Sequence, residues 1–262
     1  DLSGVTNMYA MFVNAINFNG DVSSWNTGNV TNMQSVFEGA TSFNQPIGNW
    51  NTSAVTNMSG MFLNATSFNQ DISYDSVNGY WDTGNATAMN SMFFGATSFN
   101  QNIDNWDVGK VTNFSRMLYG ASSFNQPLNS WNIGVNVAPG TAINMAEMFR
   151  QATAFNQNLN NWDTSKVTNM TRMFENAITF NSDITTWDTS DVTSMQAMFI
   201  NAVNFNQDIS YDSVNGYWDT GNVIDMNGMF YNVTSFNQNI GNWDVGKVTN
   251  FGQMFRGATS FN

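Results

Sequence analysis

Nine tryptophans, Trp25, Trp50, Trp81, Trp106, Trp131, Trp162, Trp187, Trp218 and Trp243, divide this chain at intervals of 25 or 31 residues and no others. A fixed period of this length marks a repeat architecture, in which each unit buries its apolar face only against its neighbours. The unit reads V-T-N-M-x-x-M-F-x-x-A-x-x-F-N-Q-x-I-x-x-W-D-T-x-x, with clean copies from Val30 and Val167. Units start near residues 5, 30, 55, 86, 111, 142, 167, 192, 223 and 248. Three of them carry six extra residues. The segment FNQDISYDSVNGYWDTGN occurs twice without change, from Phe68 to Asn85 and from Phe205 to Asn222, 137 residues apart. That distance is the length of five units, so a five-unit block has been duplicated whole.

The unit predicts its own local structure. A threonine followed by apolar residues at spacings of three and four (Met58, Met61, Phe62, Ala65) reads as a short helix. Thr56 and Thr168 stand where an N-cap belongs. About ten residues is too short for a helix to persist alone in water, so it must pack on the coils beside it. F-N-Q-x-I-x-x-W reads as a short extended segment, and W-D-T-S or W-N-T-G as a turn. Ile143 and Ile224 occupy the threonine slot in two units, which predicts weaker caps there.

The run M-F-x-x-A-x-x-F-N-Q-x-I-x-x-W-D-T-S-x-V-T-N-M resembles the 25-residue repeat of bacterial surface proteins known as DUF285, or the mycoplasma-lipoprotein type. More distantly, V-T-N-M-x-x-M-F-x-x-A-x-x-F-N is similar to the BspA-like leucine-rich repeat. The resemblance covers essentially the whole chain. Departures are local: Phe114 and Phe251 replace the first Met, Val36 the second, and Leu118 the Phe. The fold expected is an α/β solenoid. It would be a leucine-rich-repeat-like, right-handed stack of about ten coils of 25–31 residues, each a short strand plus a short helix, in a single domain over residues 1–262 that is part of a longer chain. The resemblance implies an extracellular or cell-surface protein used in adhesion or recognition, and no catalytic activity.

Stacking assigns each column a role. Met, Met-Phe, Ala, Phe, Ile and Trp point inward as core. Asn follows the core Phe in every coil: Asn19, Asn44, Asn69, Asn100, Asn125, Asn156, Asn181, Asn206, Asn237 and Asn262. That pattern predicts a ladder of side-chain amides serving turn backbone. Asp163, Asp188, Asp219 and Asp244 follow Trp in four successive coils. Carboxylates so stacked repel one another unless each accepts backbone amides in a solvated turn. The alternative is a calcium ion between them, since calcium takes oxygen ligands.

Composition narrows the function. The net charge is −12 and there is no His or Cys. An acidic chain repels phosphate backbones, so nucleic acid is not an expected partner. No apolar run is long enough for a transmembrane segment. Nucleophile and phosphate-loop motifs are absent. Apart from calcium, no cofactor is expected, and no enzyme. Irregular sequence is where function concentrates. Units three and eight insert their six residues before Trp, giving SYDSVNGYW, whereas unit five inserts after Trp131. Tyr74, Asp75, Asn78 and Tyr80, with their copies Tyr211, Asp212, Asn215 and Tyr217, pair aromatic faces with polar groups, as suits protein or glycan on a cell or matrix surface. The competing expectation is a structural array that assembles end to end through its solenoid ends into a fibre or surface layer.

Overall fold

A computed structural model describes residues 2–262. It is a stack of ten coils, but not the expected one. Among the described residues there is no helix, and the only strands are β1 (Ile143–Asn144) and β2 (Val167–Asn169), paired in parallel. The leucine-rich-repeat-like coil with one helix is therefore corrected.

The reason lies in backbone geometry. Met61 N–H bonds to Met58 O at 3.2 Å, and Ala65 N–H to Phe62 O at 3.0 Å. These close two successive four-residue turns. Their third residues, Gly60 and Asn64, have φ of 61° and 54°. A left-handed residue at that position is what a type II turn requires and what a helix excludes. All ten coils repeat the device, from Ala10 and Asn14 to Gln253 and Gly257. The remaining N–H groups then point along the stack rather than back along the chain. Met58, Gly60, Phe62 and Asn64 donate to Ala88, Asn90, Met92 and Phe94 of the next coil at 2.6–3.0 Å. The donors that a helix would satisfy internally are thus shared between the turns of the coil, at Met61, Leu63 and Ala65, and the next coil, at Met58, Gly60, Phe62 and Asn64.

The apolar spacing survives because two turns in tandem bring M-x-x-M-F-x-x-A to the same inner face as a helix would. The supposed caps also change role. Thr56 N–H and Oγ1 both donate to Thr31 O of the preceding coil, and Thr168 O accepts the corresponding pair from Thr193. Ile224 keeps the backbone rung, to Thr193 O at 2.9 Å, and lacks only the hydroxyl. Ile143 sits fully buried, at the register shift between β1 residues. Neither position is a weakened helix cap.

One column of parallel bridges runs from Asn7 through Asn32 and Asn57 to Asn250, joined across the middle by β1 and β2. Behind it the core is aromatic. Ten phenylalanines from Phe18 to Phe261 stack without a break at 5.7–6.1 Å. A second phenylalanine column is interrupted at Leu118, the position where the motif departs. Eight of the tryptophans, Trp50 to Trp243, are buried, and each donates its indole N–H to an Ile, Leu or Val carbonyl of the preceding coil. Burial of each such ring is worth roughly 1.5–3 kcal/mol, and its polar atom is not left unpaired.

Candidate functional site

The two copied insertions form matching hairpins. In the first, Asp75 N–H bonds to Tyr80 O at 3.0 Å, and Gly79 N–H to Asp75 O at 2.7 Å. Asp75 Oδ1 accepts the N–H groups of Val77 and Asn78, and its Oδ2 accepts Asn78 Nδ2 at 2.7 Å. Asp212 and Asn215 repeat every contact. The Asn78 amide, then the N–H groups of Val77 and Asn78, hold the Asp75 carboxyl below its ordinary pKa, and Asp212 is lowered by the same bonds.

The aspartate and asparagine singled out for binding are therefore spent on shaping the loop. Tyr74, Tyr211 and Tyr217 are half-buried against the core. The Tyr74 backbone is clamped both ways by Asn105, whose Oδ1 accepts its N–H at 3.0 Å and whose Nδ2 donates to its carbonyl at 2.9 Å. What each hairpin offers to solvent is the tip residue between them. Val77 and Val214 are each 88 % exposed, the most exposed large apolar side chains described. The sequence signal for this exposed tip is a β-branched residue at the centre of a D-S-V-N-G turn.

The hairpins re-enter the stack through a strained residue. Trp81 and Trp218 have φ of 51° and 52°, a conformation that bulky side chains rarely adopt. In return the Trp81 ring stays in its column, 5.9 Å from Trp106. Six residues are thus accommodated without disturbing the core. The unit-five insertion behaves differently. Ile133 is buried, Val137 packs on the core, and Lys166 Nζ bonds to Gly134 O at 2.6 Å. It folds back over its own coil.

The columns resolve as follows. Each ladder asparagine from Asn19 to Asn237 accepts, through Oδ1, the N–H of its counterpart one coil on, at 2.8–3.2 Å. Asp163, Asp188, Asp219 and Asp244 each accept the N–H two residues ahead. Among the described residues, no three acidic side chains come together as a metal site needs. The Thr two residues after Trp is a further structural residue. Thr52, Thr83, Thr164, Thr189 and Thr220 are buried and donate to the Asp carbonyl of the next coil at 2.6–2.8 Å.

A charge network was also missed. Arg116, Glu147, Arg150, Glu175 and Arg172 alternate across three coils with contacts of 2.8–3.3 Å, and Arg150 lies over the Tyr119 ring. Burial pushes the Glu147 pKa up, but the Arg116 and Arg150 guanidiniums outweigh it and the net shift is downward. The signal was crowding: three of the four arginines and two of the three glutamates fall in this one stretch.

The family described as "Mycoplasma protein of unknown function, DUF285" matches residues 1–79, 73–143, 137–217 and 211–262, four consecutive segments that cover the chain. The chain belongs to the DUF285 family. No curated protein matches it. The repeat unit of this DUF285 chain is therefore the turn-built coil described above. No helix among its described residues is long and apolar enough to cross a membrane.

Proposed function

We propose that this chain is a non-enzymatic recognition scaffold of the cell surface or extracellular space, which holds its partner through the two copied hairpins. The observation that carries the reading is the pair of exposed valines, Val77 and Val214, on loops whose shape is fixed by their own Asp–Asn bonds. A preorganised loop loses little entropy on binding. An apolar knob at its tip fits a pocket on a protein partner. The hairpins lie five coils apart, roughly 24 Å by the spacing of paired strands. Two identical tips at a fixed distance raise avidity for a partner that repeats.

The test is a panel of immobilised extracellular proteins probed with the chain and with Val77→Asp, Val214→Asp and the double variant. Each single variant is expected to weaken capture and the double variant to abolish it. Equal capture by the parent and the double variant would remove the hairpins from the function.

A further inference from the structure

The two hairpins are identical in sequence, yet they stand on different ground. The first faces unit two, whose corresponding segment is Pro46-Ile47-Gly48-Asn49. The second faces unit seven, Asp183-Ile184-Thr185-Thr186. Beside the first lies a cleft of 480 Å³ lined by Pro46, Gly48 and Asp71 among others, and a separate one of 200 Å³ bordered by Tyr74 and Asp107; Tyr80, the counterpart of Tyr217, lines neither. Beside the second, Tyr217 and Thr186 border two clefts at once. One, of 380 Å³, includes Asp208 and Ser210. The other, of 350 Å³, includes Asn161 and Asp188. Each is within the range of about 300–1,000 Å³ typical of small-molecule sites.

We infer that this double cleft is a binding site for a neutral carbohydrate chain, present at the second hairpin and absent at the first. A half-buried tyrosine at the junction gives a sugar ring a flat apolar surface. Hydrogen-bonding groups of both kinds surround it. Asp208 and Asp188 each use Oδ1 in their own turn, and among the described residues no hydrogen bond reaches their Oδ2 atoms, which remain as acceptors for sugar hydroxyls. Asn161 adds an amide donor. The clefts are open and adjoining, so they suit successive residues of a chain better than one enclosed molecule. The ligand is neutral because the carboxylates and the net charge of −12 repel anions. The first hairpin cannot match this arrangement: a Cβ at Gly48 would stand 2.9 Å from Asp71 O, so the Thr185 side chain has no place there.

This site goes beyond recognition by the valine tips and does not depend on them. The test is an array of neutral, sialylated and sulfated oligosaccharides, probed with the parent chain, Tyr217→Ala, Thr186→Asn, Tyr80→Ala and the Val77→Asp/Val214→Asp double variant. Thermal melts establish that each is folded. The parent should bind neutral oligosaccharides and not the anionic ones. Tyr217→Ala and Thr186→Asn should each lose about tenfold or more, as truncating a central contact does, whereas Tyr80→Ala should bind like the parent. Thr186→Asn installs the residue that unit two carries, so it tests the site even if Tyr217→Ala disturbs packing. Absence of neutral-sugar binding, full binding by Thr186→Asn, or an equal loss in Tyr80→Ala would each overturn the inference. Sugar binding retained by the valine double variant separates this site from the tips, and the protein panel decides the tips on their own.

Discussion

Replacing Gly120 by alanine separates the turn-built coil from a helical one by the sign of its effect. In a helix, glycine is destabilising relative to alanine by roughly 0.5–1 kcal/mol, so the substitution would stabilise. Here Gly120 has φ of 67°. The nearest atom to an added Cβ is the Gly95 Cα at 3.7 Å, an ordinary contact. No clash enters, and the effect is the backbone alone. Holding alanine in the left-handed region costs about 1–2 kcal/mol. The reduced freedom of the unfolded chain returns about 0.4–1 kcal/mol, leaving a net loss of the order of 1 kcal/mol. Gly95→Ala is the harsher companion. Its φ is 65°, and the added Cβ would lie 2.3 Å from Asn64 Oδ1. Asn64 must leave its rotamer, adding about 0.5–1.5 kcal/mol. Guanidinium titration followed by tryptophan fluorescence reads both, with equal slopes required before midpoints are compared. The reasoning is refuted if Gly120→Ala raises the midpoint.

Other outcomes follow from the same contacts. Far-ultraviolet circular dichroism should lack the paired minima of a helix, and a strong helical spectrum would overturn the fold. Asn69→Ala takes the acceptor from Asn100 N–H and from Gln101 Nε2, both at 2.9 Å; a loss of about 1–2 kcal/mol is expected, with faster hydrogen exchange at the Asn100 amide, and unchanged exchange would deny the ladder its role. The depressed Glu147 pKa stabilises above the ordinary glutamate value of 4.5 and ceases to do so as pH falls through the lower folded value. The stability gap between the parent and Glu147→Gln, of the order of 1 kcal/mol or less because solvent screens the exposed Arg116 arm of the network, should therefore close under acid, and a gap that widened would reverse the argument. Chelation of divalent ions should leave the melting temperature unchanged, whereas a fall of several degrees would place a cation in the Asp163–Asp244 row.

The repeat and its inward columns were legible because they depend only on which residues recur. The helix was misread because M-x-x-M-F-x-x-A is degenerate: spacings of three and four place side chains on one face of a helix and equally on the inner corners of two tandem turns. The distinguishing residue was visible. The position before the coil's small apolar residue is Gly or Asn in nine coils, from Asn14 and Gly39 to Asn232 and Gly257, the exception being Gln151. A helix interior disfavours both residues, and a left-handed turn position selects them. At the hairpins, residue type was a poor guide. Asp75 and Asn78 look available in sequence, but in a six-residue insertion their shortest hydrogen bonds are to each other. No sequence pattern could show that Thr186, one coil back, would decide what lies beside Tyr217.

The distribution of insertions follows from how the two arcs of each coil are held. The methionine arc makes four backbone rungs to the next coil, at alternate residues from Met58 to Asn64. An added residue there would exchange the inward and outward faces of everything after it, as a slipped register does in any sheet. The tryptophan arc is held mainly by side chains, an indole N–H, a stacked ring and the following threonine hydroxyl or apolar residue, with few backbone rungs such as those from Trp81 to Trp50 O and from Trp218 to Trp187 O. Those anchors are reached from either side of a loop of any length, provided the chain returns Trp to its column. Trp81 and Trp218 meet that condition at the expense of a left-handed backbone, and all three insertions adjoin a tryptophan. The stack thus confines variation to one edge, and the two places where that edge projects as an ordered, apolar-tipped hairpin are where recognition is proposed.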